Sequence, residues 1–176
     1  QCDIGLFNAD DPYGAYMQKD VSCRSYTYGV DQAADYRAEG VQLHAHGVEY
    51  DLVAPQGKGH VELPIPGRFS VYNSLACAAA CLAAGLPMNT VLDGLHQVKT
   101  VPGRIELVPT PGCDFSVILD YAHTPDGIEN ILSAVRDFAT GRVIVLFGCG
   151  GDRDPKKRPL MGLAAGKGAD LCIVTS

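Results

Sequence analysis

Two short segments hold the side chains best suited to chemistry. Asp120-Tyr121-Ala122-His123-Thr124-Pro125-Asp126 follows an apolar run at 115–119, and Gly148-Cys149-Gly150-Gly151-Asp152-Arg153-Asp154 follows another at 143–147. In the second segment three glycines let the backbone turn sharply and approach a ligand closely. A strand that feeds such a loop and then a helix is where open α/β sheets bind ligands. Asp120 could accept from a ribose hydroxyl or hold a metal-bound water. His123 could contact phosphate or move a proton, and Arg153 offers a planar fork for a carboxylate or phosphate. The competing structural roles are a turn cap for Asp120 and an Asp152–Arg153 ion pair, and spacing alone leaves the two even. Grouped as a metal cluster, Asp120, His123, Asp152 and Asp154 would instead suit phosphoester hydrolysis.

A nucleotide-using enzyme also needs a phosphate cradle of the form G-x-x-x-x-G-K-[ST], and the chain has none. Gly162-Leu163-Ala164-Ala165-Gly166-Lys167-Gly168 imitates part of it but falls in or after a helix. An ATP-using protein built on this chain must grip the triphosphate elsewhere.

The elements that position these loops follow from pattern. Residues 115–119 and 143–147 read as strands, the latter buried, and Asp170 onward as another. Residues 125–139 read as a helix, with Ile128, Ile131, Leu132, Val135 and Phe138 on one face, Thr124-Pro125 at its start and Gly141 as its stop. A second helix spans about 157–167. This β-α-β-α-β order predicts a right-handed parallel sheet whose adjacent loops, Asp120 to His123 and Gly148 to Asp154, share one crevice.

The first hundred residues read differently. Ile4 to Phe7 ends a strand before a turn-rich stretch, and segments at 41–44, 49–53 and 61–65 suggest a small antiparallel sheet. His44 and His46 would share a strand face there, and such a pair is more often exposed than metal-bound. An alanine-rich helix runs to Gly85 with Pro87 beyond, and Asn73 lies near its start, as a cap or a ligand contact. A short helix at 89–96 leads to Val101-Pro102-Gly103-Arg104, which divides residues 1–101 from 102–176 and would serve as a hinge.

Composition narrows the class. The chain has 47% hydrophobic and 19% charged residues, ordinary for a soluble globular protein. A net charge of −6 and no basic stripe argue against nucleic acid, and no apolar run is long enough for a membrane span. Residues 1–103 carry 6 basic and 11 acidic residues, the remainder 8 and 9, with four of those eight cations between Arg153 and Arg158. Positive charge is thus concentrated in one loop, as an anionic ligand requires. Seven cysteines without a C-x-x-C pair fit a reducing cytoplasm better than a disulfide framework. The opening Gln1-Cys2-Asp3 has neither an initiator Met nor a signal peptide, so the chain is expected to begin inside a longer protein.

Five motifs in order, Phe7-Asn8-Ala9-Asp10-Asp11, Gly67-Arg68-Phe69-Ser70-Val71-Tyr72-Asn73, Val101-Pro102-Gly103-Arg104, Asp120 to Pro125 and Gly148 to Asp154, resemble the Mur ligases. Within that family the match is closest to the branch adding the third residue of the peptidoglycan stem peptide. One departure is Ser70, where the family often has Asn. The resemblance implies the rear of a central ATPase domain, with its small antiparallel sheet, followed by the first βαβαβ part of a Rossmann-like C-terminal domain. It implies an ATP- and Mg2+-dependent amide ligase that adds meso-diaminopimelate to UDP-MurNAc-L-Ala-D-Glu through an acyl phosphate. The enzyme would be a cytoplasmic monomer without nucleic-acid or membrane partners, and this piece alone would be inactive. The main magnesium ligands, the P-loop and a carbamylated lysine would lie outside the chain. By the same resemblance Asn73 lies near the adenine, and Arg104 and Asp120 hold the ribose and phosphate side. Tyr121 and His123 are weaker candidates for that site, and Arg153 would contact a carboxylate of the incoming diamino acid. Lysine-adding members of the branch, other Mur ligases and folylpolyglutamate synthases are the nearest alternatives. The tetrapeptide that separates diaminopimelate-adding from lysine-adding members would follow Ser176.

Overall fold

The computed structural model describes residues 2–99, 102–150 and 154–175. The chain divides into two units, Gln1–Lys99 and Thr100–Ser176, each with its own hydrophobic cluster.

In the first unit β1 (Ile4–Asn8), β2 (Arg24–Gly29), β3 (Tyr36–His44), β4 (Gly47–Ala54) and β5 (Gly57–Leu63) form one sheet in that order. β1, β2 and β3 are parallel, while β3, β4 and β5 alternate in direction. The expected antiparallel segments are therefore one side of a larger mixed sheet. The sequence pattern did not reveal β2, because Arg24-Ser25-Tyr26-Thr27-Tyr28-Gly29 lacks apolar alternation although Tyr and Thr favour strands. His44 ends β3, whereas His46 stands in the turn before β4, so the two do not share a strand face.

Helix α1 (Pro12–Gln18) starts where the Asp11 carboxylate accepts the Tyr13 amide at 2.8 Å. Helix α2 (Arg68–Ala83) buries Val71, Leu75, Ala78, Ala79 and Leu82, at the three-and-four spacing of a single face. They pack with Tyr36, Tyr50 and Leu52 of the sheet. The helix ends where Gly85 takes a φ of 95°, and the amides of Gly85 and Leu86 return to the carbonyls of Leu82 and Cys81. Both ends of α2 thus rest on glycines in left-handed conformations, Gly67 before it at a φ of 94° and Gly85 after it. Because α2 already begins at Arg68, Asn73 lies in its second turn and cannot cap it. Helix α3 (Met88–His96) buries Val91 and Leu95 and lays Leu92 over Gly59, where a Cβ would stand 2.5 Å from Leu92 Cδ1.

The second unit contains β6 (Glu106–Val108), β7 (Val117–Leu119), α4 (Pro125–Arg136), β8 (Ile144–Gly148), α5 (Lys157–Gly168) and β9 (Leu171–Thr175). The predicted β-α-β-α-β order is present, and β8 pairs with β9 in parallel. β7, however, pairs antiparallel with β6 and not with β8. Chain order does not fix strand order in doubly wound sheets, and three-residue β6 was too short to leave a periodic signal. Helix α4 closes at Arg136, short of Gly141, after Ile128 and Leu132 have been buried against Met161, Ala164 and Ala165 of α5. Val145 and Phe147 of β8 face the same cluster, while Ile144 and Leu146 are exposed, so the strand expected to be buried is covered on one face only. Gly162, Gly166 and Gly168 all lie within α5, which disposes of the apparent phosphate-binding pattern.

Candidate active-site segments

In the second unit the loop after β7 is built around Asp120. Its Oδ2 accepts the Ile105 amide at 3.0 Å, and its Oδ1 accepts the Ala122 amide at 2.8 Å. Ile105 is buried and sits at a φ of 41°, a left-handed conformation that costs a β-branched residue about 1–3 kcal/mol. The Asp120 carboxylate holds that strained residue through its N–H and so fixes the backbone beside Arg104. The turn-cap role weighed for Asp120 is therefore real, and a second bond adds to it.

Arg104 is exposed and its guanidinium carbon lies 5.2 Å from the centre of the Tyr121 ring. Such a cation over an aromatic face is worth about 0.5–1 kcal/mol at an exposed site. The rings of Tyr121 and His123 follow at 5.0 Å. His123 Nδ1 lies 3.0 Å from the Tyr121 carbonyl; a carbonyl can only accept, so Nδ1 carries a proton and Nε2 is left free of that bond. Thr124 then caps α4 by accepting the Gly127 amide at 3.1 Å, as its place before Pro125 predicted.

Arg104, Asp120, Tyr121 and His123 thus form one constellation of a guanidinium, a carboxylate, a phenol and an imidazole. The sequence reading missed Lys157, whose ammonium donates to the His123 carbonyl at 3.0 Å. That bond ties the loop after β7 to the start of α5, and Ala122 and Cys149 join one hydrophobic cluster. Among the described residues, the starts of the two loops expected to share a crevice therefore pack on one cluster although their strands do not pair. Lys157 was foreseeable only as part of the basic run at 153–158. Arg153 and Asp152 lie outside the described residues.

Asn73, in the first unit, is exposed on the second turn of α2 between the buried Val71 and Ser74. Ser74 and Ser70 turn inward: Ser74 Oγ meets the Tyr50 hydroxyl at 2.9 Å, and Ser70 donates to the Pro66 carbonyl at 3.0 Å. Burial pushes the Tyr50 phenol up to about 12, so it stays neutral. Asn73 is left facing outward from an anchored helix. Among the described residues no three His, Cys, Asp or Glu are grouped to hold a metal ion. Asp152, the other acid considered beside Asp120, His123 and Asp154, lies outside the described residues.

Both units match known proteins. Residues 1–81 match the Mur ligase middle domain, and residues 103–176 match the Mur ligase glutamate ligase domain. A UDP-N-acetylmuramoyl-L-alanyl-D-glutamate--2,6-diaminopimelate ligase of Clostridium acetobutylicum is 46% identical over 172 residues, 97% of this chain and 36% of that protein. A solved structure of a ligase with the same substrate name superposes with a TM-score of 0.72 at 33% identity, over 99% of this chain and 37% of the other. A Thermotoga maritima MurF ligase in complex with ADP shares the fold, with a TM-score of 0.71 at 16% identity over 97% and 39% of the two chains. The chain spans about 36% of the length of the relative from Clostridium acetobutylicum. With both of its units matched to successive domains of one family, the chain belongs to the Mur ligases.

Proposed function

We propose that the protein containing this chain is an ATP-dependent amide ligase of peptidoglycan precursor synthesis, adding meso-diaminopimelate to UDP-MurNAc-L-Ala-D-Glu. The observation that carries this reading is the constellation of Arg104, Asp120, Tyr121 and His123 in a chain 46% identical to a ligase of that name. ATP supplies the phosphoryl group that activates the glutamyl carboxylate as an acyl phosphate for attack by the amino group. Positioning and charge neutralisation are most of what a protein adds to such a reaction. Asn73 meets the adenine side. Arg104, held over Tyr121, presents its guanidinium to the phosphates, and Asp120 orders the ribose side of the loop. His123 offers Nε2 toward the same nucleotide. Arg153 takes the second carboxylate of the diamino acid, an anion that lysine lacks and that a planar fork suits better than a point charge. Among the described residues no ligand set for magnesium is assembled.

The division into residues 1–101 and 102–176 as parts of two domains belongs to this reading, with Pro102-Gly103 as the hinge. So does a monomer in a reducing cytoplasm, which seven free cysteines support. The test uses the full-length enzyme with ATP, UDP-MurNAc-L-Ala-D-Glu and either diamino acid. Arg104→Ala or Asp120→Ala should raise the ATP KM or lower kcat in a folded protein. Unchanged ATP kinetics would assign both residues to structure alone. A kcat/KM that favours L-lysine would overturn the choice of diamino acid, and Arg153→Ala should raise the amino-acid KM with little effect on ATP. Residues 1–176 alone should show no substrate-dependent ATP turnover.

A further inference from the structure

The Asn8-Ala9-Asp10-Asp11 motif has no part in the site just described, yet it organises the helix that carries Asn73. Asp10 Oδ2 accepts the Val30 amide at 2.6 Å, the Asp31 amide at 3.1 Å and the Tyr72 hydroxyl at 2.9 Å. Its Oδ1 accepts the Gln32 amide at 2.7 Å and the Asp31 amide at 3.2 Å. Three successive N–H groups thus converge on one carboxylate. Burial would raise the Asp10 pKa, but the three amides and the Tyr72 hydroxyl outweigh it and hold the carboxyl below its usual value. Gly29 keeps the cradle open, since a Cβ there would stand 3.3 Å from Asp10 Oδ1. Beside it the Arg68 guanidinium grips both oxygens of Asp31 at 2.6 and 2.8 Å.

Arg68 and Tyr72 are one turn apart on α2, so two acids from the β1–β2 side hold two successive turns of that helix. No side chain caps the α2 N-terminus. Burial and the neighbouring Asp10 push the Tyr72 phenol up to about 12, which keeps it a neutral donor. The grip therefore ends one residue before Asn73.

We propose that Asp10 is a positioning residue for the nucleotide. Acting through Tyr72, with the Asp31–Arg68 pair alongside, it sets the rotation and height of the first two turns of α2, so that the Asn73 amide is already placed when the base arrives. Presetting a contact removes part of the ordering cost of binding. The inference rests on the assignment of Asn73 to the adenine side, and the experiment separates the two.

In the full-length enzyme, ATP binding is measured by calorimetry and turnover by phosphate release for Tyr72→Phe, Asn73→Ala and the double variant. Tyr72→Phe deletes one hydroxyl and leaves the cradle of amides intact. It should raise the ATP Kd and KM about threefold to tenfold, with a smaller change in kcat. In the Asn73→Ala background the same change should cost nothing further. Asp10→Asn should follow Tyr72→Phe in direction; if it fails to fold, the Tyr72 cycle still decides. A lowered Tm with an unmoved ATP Kd for Tyr72→Phe would show a merely structural bond and overturn the proposal. Equal losses with and without Asn73 would overturn it as well. An ATP Kd unmoved by Asn73→Ala would refute the assignment of Asn73 itself, and this inference with it.

Discussion

Gly14 and Gly94 should respond in opposite directions to the same substitution. Gly14 is buried in α1, against the end of β1, and a Cβ there would stand 1.9 Å from the Asn8 carbonyl oxygen and 2.9 Å from its carbon. Ordinary contact begins more than an ångström further out, and backbone at the end of a paired strand cannot rotate aside as a side chain can. Gly14→Ala must push α1 off β1, an overpacking strain of about 1–3 kcal/mol. At the entropy of unfolding usual for a unit of this size, that is a fall in Tm of at least about 4 °C. Gly94 lies on the exposed side of α3, and a Cβ there would meet nothing within 4 Å. Gly94→Ala gains helix propensity of about 0.5–1 kcal/mol, a rise of about 2 to 8 °C. Thermal unfolding followed by circular dichroism, at one scan rate for both variants, reads the two shifts. An unchanged or raised Tm for Gly14→Ala would show that α1 does not press on β1 as the structure has it. The displacement should also reach Asp10, two residues beyond Asn8, so the same variant should weaken ATP binding in the full-length enzyme.

The ion pairs predict two pH windows. Bonds from Arg136 and the Val143 amide hold the Asp170 carboxyl below its usual value; its stabilisation is present above the unfolded pKa and is lost as pH falls through the folded one. Asp170→Asn should therefore lower Tm at pH 7 and remove part of the acid-induced decline, and an identical pH profile would refute the contribution of the Arg136–Asp170 pair. The Asp51 carboxylate raises the His60 imidazole on the neighbouring strand; that contribution is full below the unfolded pKa near 6.5 and is lost as pH rises through the folded value. His60→Gln should flatten Tm in that range, and a profile that stays steep would assign the slope elsewhere. Leu75 is fully buried in the first core, and Leu75→Ala should cost about 2–5 kcal/mol in urea unfolding. A loss under about 1 kcal/mol would mean that α2 collapses onto the sheet.

Local chemistry made much of this protein legible before any coordinates. Thr124 before Pro125 carries its helix start within three residues, and Gly85 carries its helix end; the stretch around Asp11-Pro12 reads only as turn-rich, although Asp11 caps α1 there. The spacing of Ile128 and Leu132 showed which face of α4 is buried, because a helix repeats its own neighbours. The short motifs named the family and drew attention to Asp120 and Arg104 for the same reason, since each is a contiguous run with its own backbone geometry.

Contacts between distant residues needed the tertiary structure. Tyr26, Thr27 and Tyr28 favour a strand, but nothing in Arg24 to Gly29 announces its place between β1 and β3, and nothing in Glu106-Leu107-Val108 announces the partner that β7 takes in place of β8. Asp120 reads from sequence as a cap for its own turn; that it also restrains Ile105, fifteen positions earlier, depends on how β6 and β7 register. Asp10 and Tyr72 are 62 residues apart, and no periodicity links them. Hydrogen-bonding capacity is a property of each residue type, but a long-range partner is selected only when the sheet and helices have closed the intervening loops, whose entropic cost depends weakly on length and not at all on the motif. Residue type therefore decided which groups could do chemistry here, and topology decided which of them hold one another in place.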